Sequence, residues 1–158
     1  MKTLVCSKII EGLPPELKET DTVSLDLELS GLREEQLHRP AGRMASLACS
    51  FDGETAYIIF EEDQVQEFLG RIERATWIFH NSTFDLAHLR RWAKVEERNN
   101  IRDIMIIEKI MYSDYYDDFA LNDLVRRHLG CYMSKGIREE FITLDTAMTD
   151  DDDKDTLL

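Results

Sequence analysis

The chain has 158 residues, of which 43% are hydrophobic and 32% are charged, and its formal net charge is −13. This composition predicts one small folded domain rather than a disordered chain, and the negative charge argues against a protein that holds nucleic acid by a broad basic face. No apolar run approaches the roughly 20 residues of a membrane span, and the first residues lack the pattern of a signal peptide, so we expect a soluble, cytoplasmic protein without a membrane partner.

The first regular pattern is a strict alternation of apolar and polar residues over residues 22–29. Such alternation is typical of a strand with one buried face. Two further strands are predicted at residues 44–51 and 55–60, joined by Asp52 and Gly53, a dipeptide that suits a tight hairpin. The three strands would form an antiparallel meander.

The next segments alternate between helix and strand. Residues 61–72 carry apolar side chains at helical spacing and acids at the start, where the helix dipole favours them. Residues 75–79 read as a short buried strand. Either Asn81 or Ser82 can cap the following helix, whose apolar residues are predicted to face inward; they are Phe84, Leu86 and Leu89.

The last third of the chain is predicted to be helical. One helix starts at Asp103 and ends in the acidic, tyrosine-rich loop at residues 113–118, and another spans residues 121–129 and is stopped by Gly130. Strands that come early and helices that follow predict an α/β domain with a mixed sheet, antiparallel and parallel, flanked by helices.

Asp26 and Glu28 lie two residues apart on the first predicted strand. Residues at this spacing project from the same face, about 6.6 to 7 Å apart along the strand. Two neighbouring carboxylates repel each other, and a divalent cation between them removes that cost. The alternative is that both acids form the solvated face of an amphipathic edge strand, and the D-x-E pattern taken alone favours that interpretation.

A second cluster of polar residues lies where the strand at residues 75–79 ends, in the segment His80-Asn81-Ser82-Thr83-Phe84-Asp85. Asp85 would lie in the first helical turn, at the end of the strand where α/β sheets usually display functional groups. A first-turn acid also has a purely local explanation, since the helix dipole favours it. The combination with the D-x-E strand makes the functional interpretation the stronger one.

This combination resembles the DEDD family of 3′-5′ exonucleases, which includes the proofreading domain of bacterial DNA polymerase I and ribonuclease D. The resemblance covers about residues 20–130, with residues 26–32 similar to the first family motif and residues 81–85 similar to the second. It implies a ribonuclease H-like fold and two divalent ions, Mg²⁺ or Mn²⁺. The metal-binding and catalytic acids implied by the resemblance are Asp26, Glu28 and Asp85.

The same resemblance implies the substrate contacts and partners. Leu32 would wedge against the terminal base, Asn81 and Phe84 would lie beside the scissile nucleotide, and Leu29 is included among the substrate-binding residues. The expected substrate is the single-stranded 3′ end of DNA, with RNA possible, and the products are 5′-mononucleotides. A polymerase domain in the same chain or in a partner chain is also implied. Asp103 matches a family position that is structural.

One family feature is missing from the sequence. The fourth acid of the family lies in Y-x-x-x-D or H-x-x-x-x-D, yet no tyrosine has an aspartate four residues on, and only His80 has one five residues on, namely Asp85. We therefore expect a single domain at residues 1–158 that lacks the late helix, has an acidic tail at residues 145–158, and shows weak or absent activity alone. Robust digestion that Asp155→Ala abolishes would contradict this expectation.

Other interpretations stay open. A catalytically silent nuclease fold that serves as a scaffold or binds a partner fits both the missing motif and the acidity. His88 is predicted to be a surface residue. The tyrosines at positions 112, 115 and 116 could stack on bases, although packing on the domain's own core is the commoner outcome. The three cysteines are widely spaced and predict neither a disulfide framework nor a zinc site.

Overall fold

The computed structural model describes residues 2–3, 8–15, 22–30, 43–95 and 100–133. The acidic tail and Leu32 lie outside the described residues. The chain divides into two units: a larger one, Cys6–Leu121, and a smaller one that combines Met1–Val5 with Asn122–Leu158.

The described elements comprise eight strands and four helices. The strands are β1 (Lys2–Thr3), β2 (Lys8–Glu11), β3 (Thr22–Ser30), β4 (Arg43–Ser50), β5 (Thr55–Ile59), β6 (Thr76–Phe79), β7 (Ile101–Asp103) and β8 (Cys131–Tyr132). The helices are α1 (Glu62–Arg71), α2 (Ser82–Leu89), α3 (Ile104–Tyr112) and α4 (Leu121–Leu129). None of these helices is long and apolar enough to cross a membrane.

The larger unit is built on a six-stranded sheet with the order β2-β5-β4-β3-β6-β7. Strands β3, β4 and β5 form the predicted antiparallel meander. The pairs β2–β5, β3–β6 and β6–β7 are parallel. The structure therefore confirms the mixed sheet with early antiparallel and later parallel pairing.

The hydrophobic core lies between one face of this sheet and helices α1 and α2. Alternate residues of β3 are buried, with Val23 at 0% and Leu27 at 2% exposure, and they pack with Phe68 of α1 and Leu89 of α2. Each buried side chain of this size contributes roughly 1.5–3 kcal/mol of hydrophobic stabilisation. The polar residues between them leave the opposite face of β3 exposed, and that face carries the acids of the first motif.

The β4–β5 hairpin has the predicted turn. Gly53 has a φ of 74°, a conformation that costs a glycine little because it has no Cβ. Asp52 Oδ1 accepts hydrogen bonds from the amides of Glu54 and Thr55 at 2.8 and 2.7 Å. This turn chemistry was readable from the sequence because it depends only on neighbouring residues.

Two strands of the larger sheet were not predicted. β2 has only four residues and both of its ends are charged, and β7 has only three residues, so neither shows a pattern longer than one alternation. Both lie at the edges of the sheet, where pairing with one neighbour defines the strand. Their formation depends on that neighbour rather than on local sequence.

The residues of α2 predicted to face inward do pack on the core, and the helix also buries two polar residues. Leu89 is fully buried, Phe84 and Leu86 are partly buried against the core, and Asp85 and His88 are 5% and 4% exposed. Residues 85, 88 and 89 lie at i, i+3 and i+4 and so share one helix face. His88 is therefore a buried residue, not a surface one, and its ring lies against Phe84 with the ring centroids 5.0 Å apart.

The smaller unit contains the short parallel pair β1–β8, with Lys2 opposite Cys131. Gly130 has a φ of 64° at the end of α4, as a helix-ending glycine requires. The amide of Met133 donates to Asn122 Oδ1 at 3.0 Å.

The described cysteines behave as ordinary buried thiols. Cys49 and Cys131 are buried and form no disulfide. Burial raises the pKa of the Cys49 thiol to about 12, so this residue stays protonated and unreactive at neutral pH. Cys6 lies outside the described residues.

Candidate active site

Asp26 and Glu28 project from the open face of β3. Both side chains are exposed, while Leu25 and Leu27 on either side of Asp26 are buried. In the β3–β4 ladder Asp26 lies opposite Ala48. The structure thus places the two acids on one face, as predicted, and it places them near the centre of the sheet rather than on an edge strand.

A β-bulge interrupts the β3–β4 ladder directly after Glu28. Glu28 lies opposite Ser46, and Leu29 lies opposite Met44, so that Ala45 is the extra residue on β4. A bulge bends the strand and increases its local twist, and bulges are frequent beside active sites because they redirect a side chain. The bulge therefore lies directly beside the acids of the first motif, on the neighbouring strand.

Asp85 reaches β3 from helix α2. Its Oδ1 accepts a hydrogen bond from the amide of Leu27 at 3.0 Å. The parallel pairing of β3 with β6 ends at Ser24, opposite Ile78. Asp85 therefore supplies the acceptor that the Leu27 amide would otherwise lack, and it is held at the residue between Asp26 and Glu28.

The three carboxylates influence one another electrostatically. Burial raises the pKa of Asp85 to about 7, the hydrogen bond from the Leu27 amide acts in the opposite direction, and the negative charges of Asp26 and Glu28 add to the rise. Charges act in this way only when they are close. The structure thus brings the three predicted acids into one neighbourhood, where the ionised form of Asp85 is costly.

The donor set fits a hard divalent cation. All three side chains offer carboxylate oxygens, which Mg²⁺ and Mn²⁺ prefer and zinc does not. Within the ranges that the structure describes, no three His, Cys, Asp or Glu side chains are gathered closely enough to form a ready-made metal cluster. A divalent cation bound between such carboxylates would offset the repulsion between their charges.

Space is available beside Asp26. A shallow cavity of about 120 Å³ lies on the open face of the sheet; its lining consists of Ser24, Asp26, Ala48, Cys49, Ser50 and Ala56. Most of these side chains are small, so the carboxylate of Asp26 is not covered by its neighbours. A ligand can reach Asp26 from this side.

Asn81 joins β6 to α2 in a left-handed conformation, with φ 66° and ψ 56°. It occupies the N-cap position, but its side chain makes no capping hydrogen bond, so capping by Asn81 itself was wrong. A left-handed cap residue cannot aim its side chain at the first-turn amides in the usual way. Asp103 supplies the acceptors instead. Its Oδ1 accepts a hydrogen bond from the amide of Asn81 at 3.1 Å, and its Oδ2 accepts one from the amide of Ser82 at 2.7 Å.

Asp103 also caps the next helix. Its Oδ1 accepts from the amides of Met105 at 3.0 Å and Ile106 at 3.3 Å at the start of α3. Burial by itself would raise the pKa of this carboxyl, but the amides of Ser82, Asn81 and Ile106 hold the pKa below its ordinary value. One side chain thus fixes both the second motif and α3, in agreement with a structural role.

Replacing Asp103 by Asn should destabilise the fold by about 2–3 kcal/mol, because one carbonyl oxygen cannot satisfy amides that now use two carboxylate oxygens. Urea unfolding followed by circular dichroism measures the loss. Asp52→Asn is the matched control, since Asp52 also accepts from backbone amides but is fully exposed, and its loss should be smaller. Equal losses for the two variants would contradict the role assigned to Asp103.

The residues predicted to contact substrate differ in their exposure. Asn81 is exposed and Phe84 is half-buried, and both lie in the second motif with Asp85. Leu29 is 9% exposed and belongs to the core, so only its backbone could contact a substrate. Leu32 lies outside the described residues.

Sequence reasoning missed the anchoring of the tyrosine-rich loop. His80 Nε2 lies 2.9 Å from the carbonyl oxygen of Phe119, within hydrogen-bonding distance. Phe119 itself is buried at 8% exposure. No local signal links positions 80 and 119, because the contact joins two segments 39 residues apart.

Comparison with known proteins gives a family and a set of similar folds. A family model described as 3′-5′ exonuclease matches residues 2–140. Brucella melitensis NrnC with bound Mg²⁺ has 22% sequence identity and a TM-score of 0.60, with 80% of this chain and 63% of that chain covered. The same protein bound to pGG gives 23% identity and a TM-score of 0.61, with coverage of 81% and 63%.

A more distant structure has the same fold. Escherichia coli RNase D, described as an exoribonuclease involved in structured RNA processing, has 15% identity and a TM-score of 0.51, with 73% of this chain and 30% of that chain covered. No curated protein matches the sequence significantly. The chain spans about 63% of the length of the NrnC chains that it matches.

Proposed function

Because the chain belongs to the 3′-5′ exonuclease family and has the ribonuclease H-like fold of DEDD-type enzymes, we propose that it removes 5′-mononucleotides from the 3′ end of nucleic acid. The site would use divalent ions held by Asp26, Glu28 and Asp85. The observation that carries this proposal is the hydrogen bond from the Leu27 amide to Asp85, which fixes the second-motif acid between the two acids of the first motif.

Each acid has a distinct proposed role. When bound, two Mg²⁺ or Mn²⁺ ions would activate the attacking water and offset charge on the leaving 3′ oxygen. Asp26 lies on the open face of β3 and would be shared between the two ion sites. Glu28, which lies beside the bulge, would bind one ion and orient the attacking water, and Asp85, fixed by the hydrogen bond from the Leu27 amide, would hold the second ion.

We propose single-stranded DNA as the substrate, because the two motifs resemble those of polymerase proofreading domains. A polymerase domain would then act on the same strand, in this chain or in a partner, and the site of action would be the cytoplasm. RNA is the second candidate substrate, since similar folds include RNase D, described as an exoribonuclease. The two differ at the 2′-hydroxyl, through which a protein can distinguish RNA from DNA.

The test uses 5′-labelled single-stranded DNA and RNA of identical sequence with the protein in excess and Mg²⁺ or Mn²⁺ present. We expect slow, stepwise shortening from the 3′ end, release of 5′-mononucleotides, faster turnover of DNA than of RNA, and no reaction in EDTA. Isothermal titration with Mn²⁺ should show two binding sites per chain.

Two outcomes would contradict parts of this proposal. If RNA is degraded faster than DNA, RNA is the preferred substrate, and the proposed roles of the three acids are unaffected. Absence of both shortening and Mn²⁺ binding would instead favour the silent nuclease-fold module, in which the three carboxylates are retained without catalysis.

A further inference from the structure

Helix α3 presents its apolar side to solvent. None of its residues is buried, although most of them are isoleucine or methionine. Ile106, Ile107, Ile110 and Met111 are 47%, 39%, 77% and 59% exposed. Spacings of one, three and four residues place these four side chains on one contiguous face. The sequence predicted this helix from its apolar pattern, and the structure confirms the helix.

The apolar face continues into the turn that follows α3. Tyr115 and Tyr116 are 78% and 43% exposed, so the expectation that this loop packs on the core was wrong for both. We call Ile106, Ile107, Ile110, Met111, Tyr115 and Tyr116 the α3 patch. At on the order of 100 Å² for each half-exposed large side chain, the patch measures roughly 600 Å², the upper end of what monomeric proteins expose.

Acidic residues surround the α3 patch. Asp114, Asp117 and Asp118 are all exposed in the turn. Over residues 104–118 the chain has four acids and one base, Lys109. An apolar centre with a negative rim is complementary to a surface with apolar side chains and a positive rim.

We propose that the α3 patch is the docking surface for a partner polypeptide that presents an amphipathic helix with apolar residues at helical spacing, flanked by lysine or arginine. The apolar area supplies the centre of a standard interface, which buries about 800 Å² per partner. The acidic rim attracts and orients the basic flanks. This docking is independent of the exonuclease reaction.

The charges disfavour two other occupants. A second copy of this chain would bring the same acidic rim against itself, at a formal net charge of −13 per chain. A nucleic acid strand would bring phosphates against Asp114, Asp117 and Asp118, although Tyr115 and Tyr116 could stack on its bases. Both occupants are outcomes of the test.

The test measures binding of a fluorescein-labelled peptide of about 18 residues, long enough to form a helix, in which leucines occupy one face and lysines the other. The full chain should bind it saturably, and Ile110→Lys should weaken binding at least about tenfold. The same composition with glutamate in place of lysine should bind about tenfold more weakly than the lysine peptide. Fluorescence anisotropy gives each dissociation constant.

Ile9→Lys is the matched control, because Ile9 is 66% exposed on β2 and outside the patch. The Ile9→Lys variant should bind the peptide with the same affinity as the unchanged protein. Equal binding by the Ile9→Lys and Ile110→Lys variants would overturn the proposal, since the peptide would then be attracted by overall charge alone. Since both side chains are exposed, neither substitution should alter the circular dichroism spectrum.

The remaining outcomes would show that something other than a partner helix occupies the α3 patch. A dimer in sedimentation experiments that Ile110→Lys dissociates would show a second copy on the patch and overturn the proposal. So would single-stranded DNA binding that Tyr115→Ala abolishes in EDTA, where the catalytic site holds no metal ion. The Asp26→Asn variant, by contrast, should lose exonuclease activity and bind the peptide with unchanged affinity.

Discussion

Replacing Asp26 by Asn should abolish the slow 3′-end shortening expected of this chain, with a loss of about a hundredfold or more. The carboxylate lies on the open sheet face, opposite Ala48, and Glu28, the other acid of that face, has a separate proposed role. Substituting a residue that only hydrogen-bonds to a metal ligand lowers metal affinity or activity by about 10- to 100-fold. Substituting a direct ligand should lower activity by at least as much. Product analysis under protein excess, with Mn²⁺ present, detects the loss.

Asp63→Asn is the control for this substitution, because Asp63 is an exposed acid at the start of α1 and undergoes the same chemical change. Its rate should equal that of the unchanged protein. Calorimetry should show weaker Mn²⁺ binding in Asp26→Asn than in Asp63→Asn. Unchanged activity and unchanged Mn²⁺ binding in Asp26→Asn would remove Asp26 from the site.

Replacing Asp85 by Asn should stabilise the metal-free protein at pH 8 by about 1–3 kcal/mol and at the same time abolish catalysis. Asparagine keeps an Oδ1 atom that can accept the Leu27 amide, and it removes a charge that burial and two neighbouring acids make costly. Functional sites commonly sacrifice stability in this way.

The pH dependence follows from the pKa of Asp85, which is raised from 3.8 to about 7 in the folded state. Between these values the folded protein binds this proton and the unfolded chain does not, so stability from this group is highest below about pH 4 and falls as pH rises to about 7. The shift sets an upper bound of about 4 kcal/mol, which water penetration and relaxation reduce. The advantage of Asp85→Asn should therefore be absent at pH 4 and full at pH 8.

Urea unfolding in EDTA at pH 4, 6 and 8 tests this prediction. Asp114→Asn changes the net charge equally at an exposed position and should show no comparable pH-dependent gain. Adding Mn²⁺ should raise the melting temperature of the unchanged protein, because a ligand that binds only the folded state stabilises it, but it should have little effect on Asp85→Asn. A variant less stable than the parent at pH 8 would show that the Asp85 charge is not a cost.

Local patterns predicted most of the sheet. The alternation over residues 22–29 gave strand β3 to within one residue and placed Asp26 and Glu28 on one face, because the side-chain period of a strand is two wherever it forms. The Asp52-Gly53 turn and the Gly130 stop were equally local, since each depends on a backbone conformation that glycine adopts at little cost.

Helix faces were predicted less well than helix positions. The periodicity of α2 and α3 located both helices, but it did not reveal that α2 buries Asp85 and His88 or that α3 exposes Ile110. Which face of a helix is covered depends on what packs against it, and in α2 the requirement for an acceptor at Leu27 places a carboxylate inside. An apolar stripe therefore identifies a helix without identifying its partner.

The sequence by itself determined the D-x-E strand, the second motif and the family to which the chain belongs, because these depend on residue type and spacing. Only the tertiary structure decided that Asp85 docks on the Leu27 amide, that Asp103 holds the Asn81 turn, and that the apolar face of α3 meets solvent. Each of these contacts joins segments distant in the chain or depends on what covers a surface, and local periodicity carries no information about either.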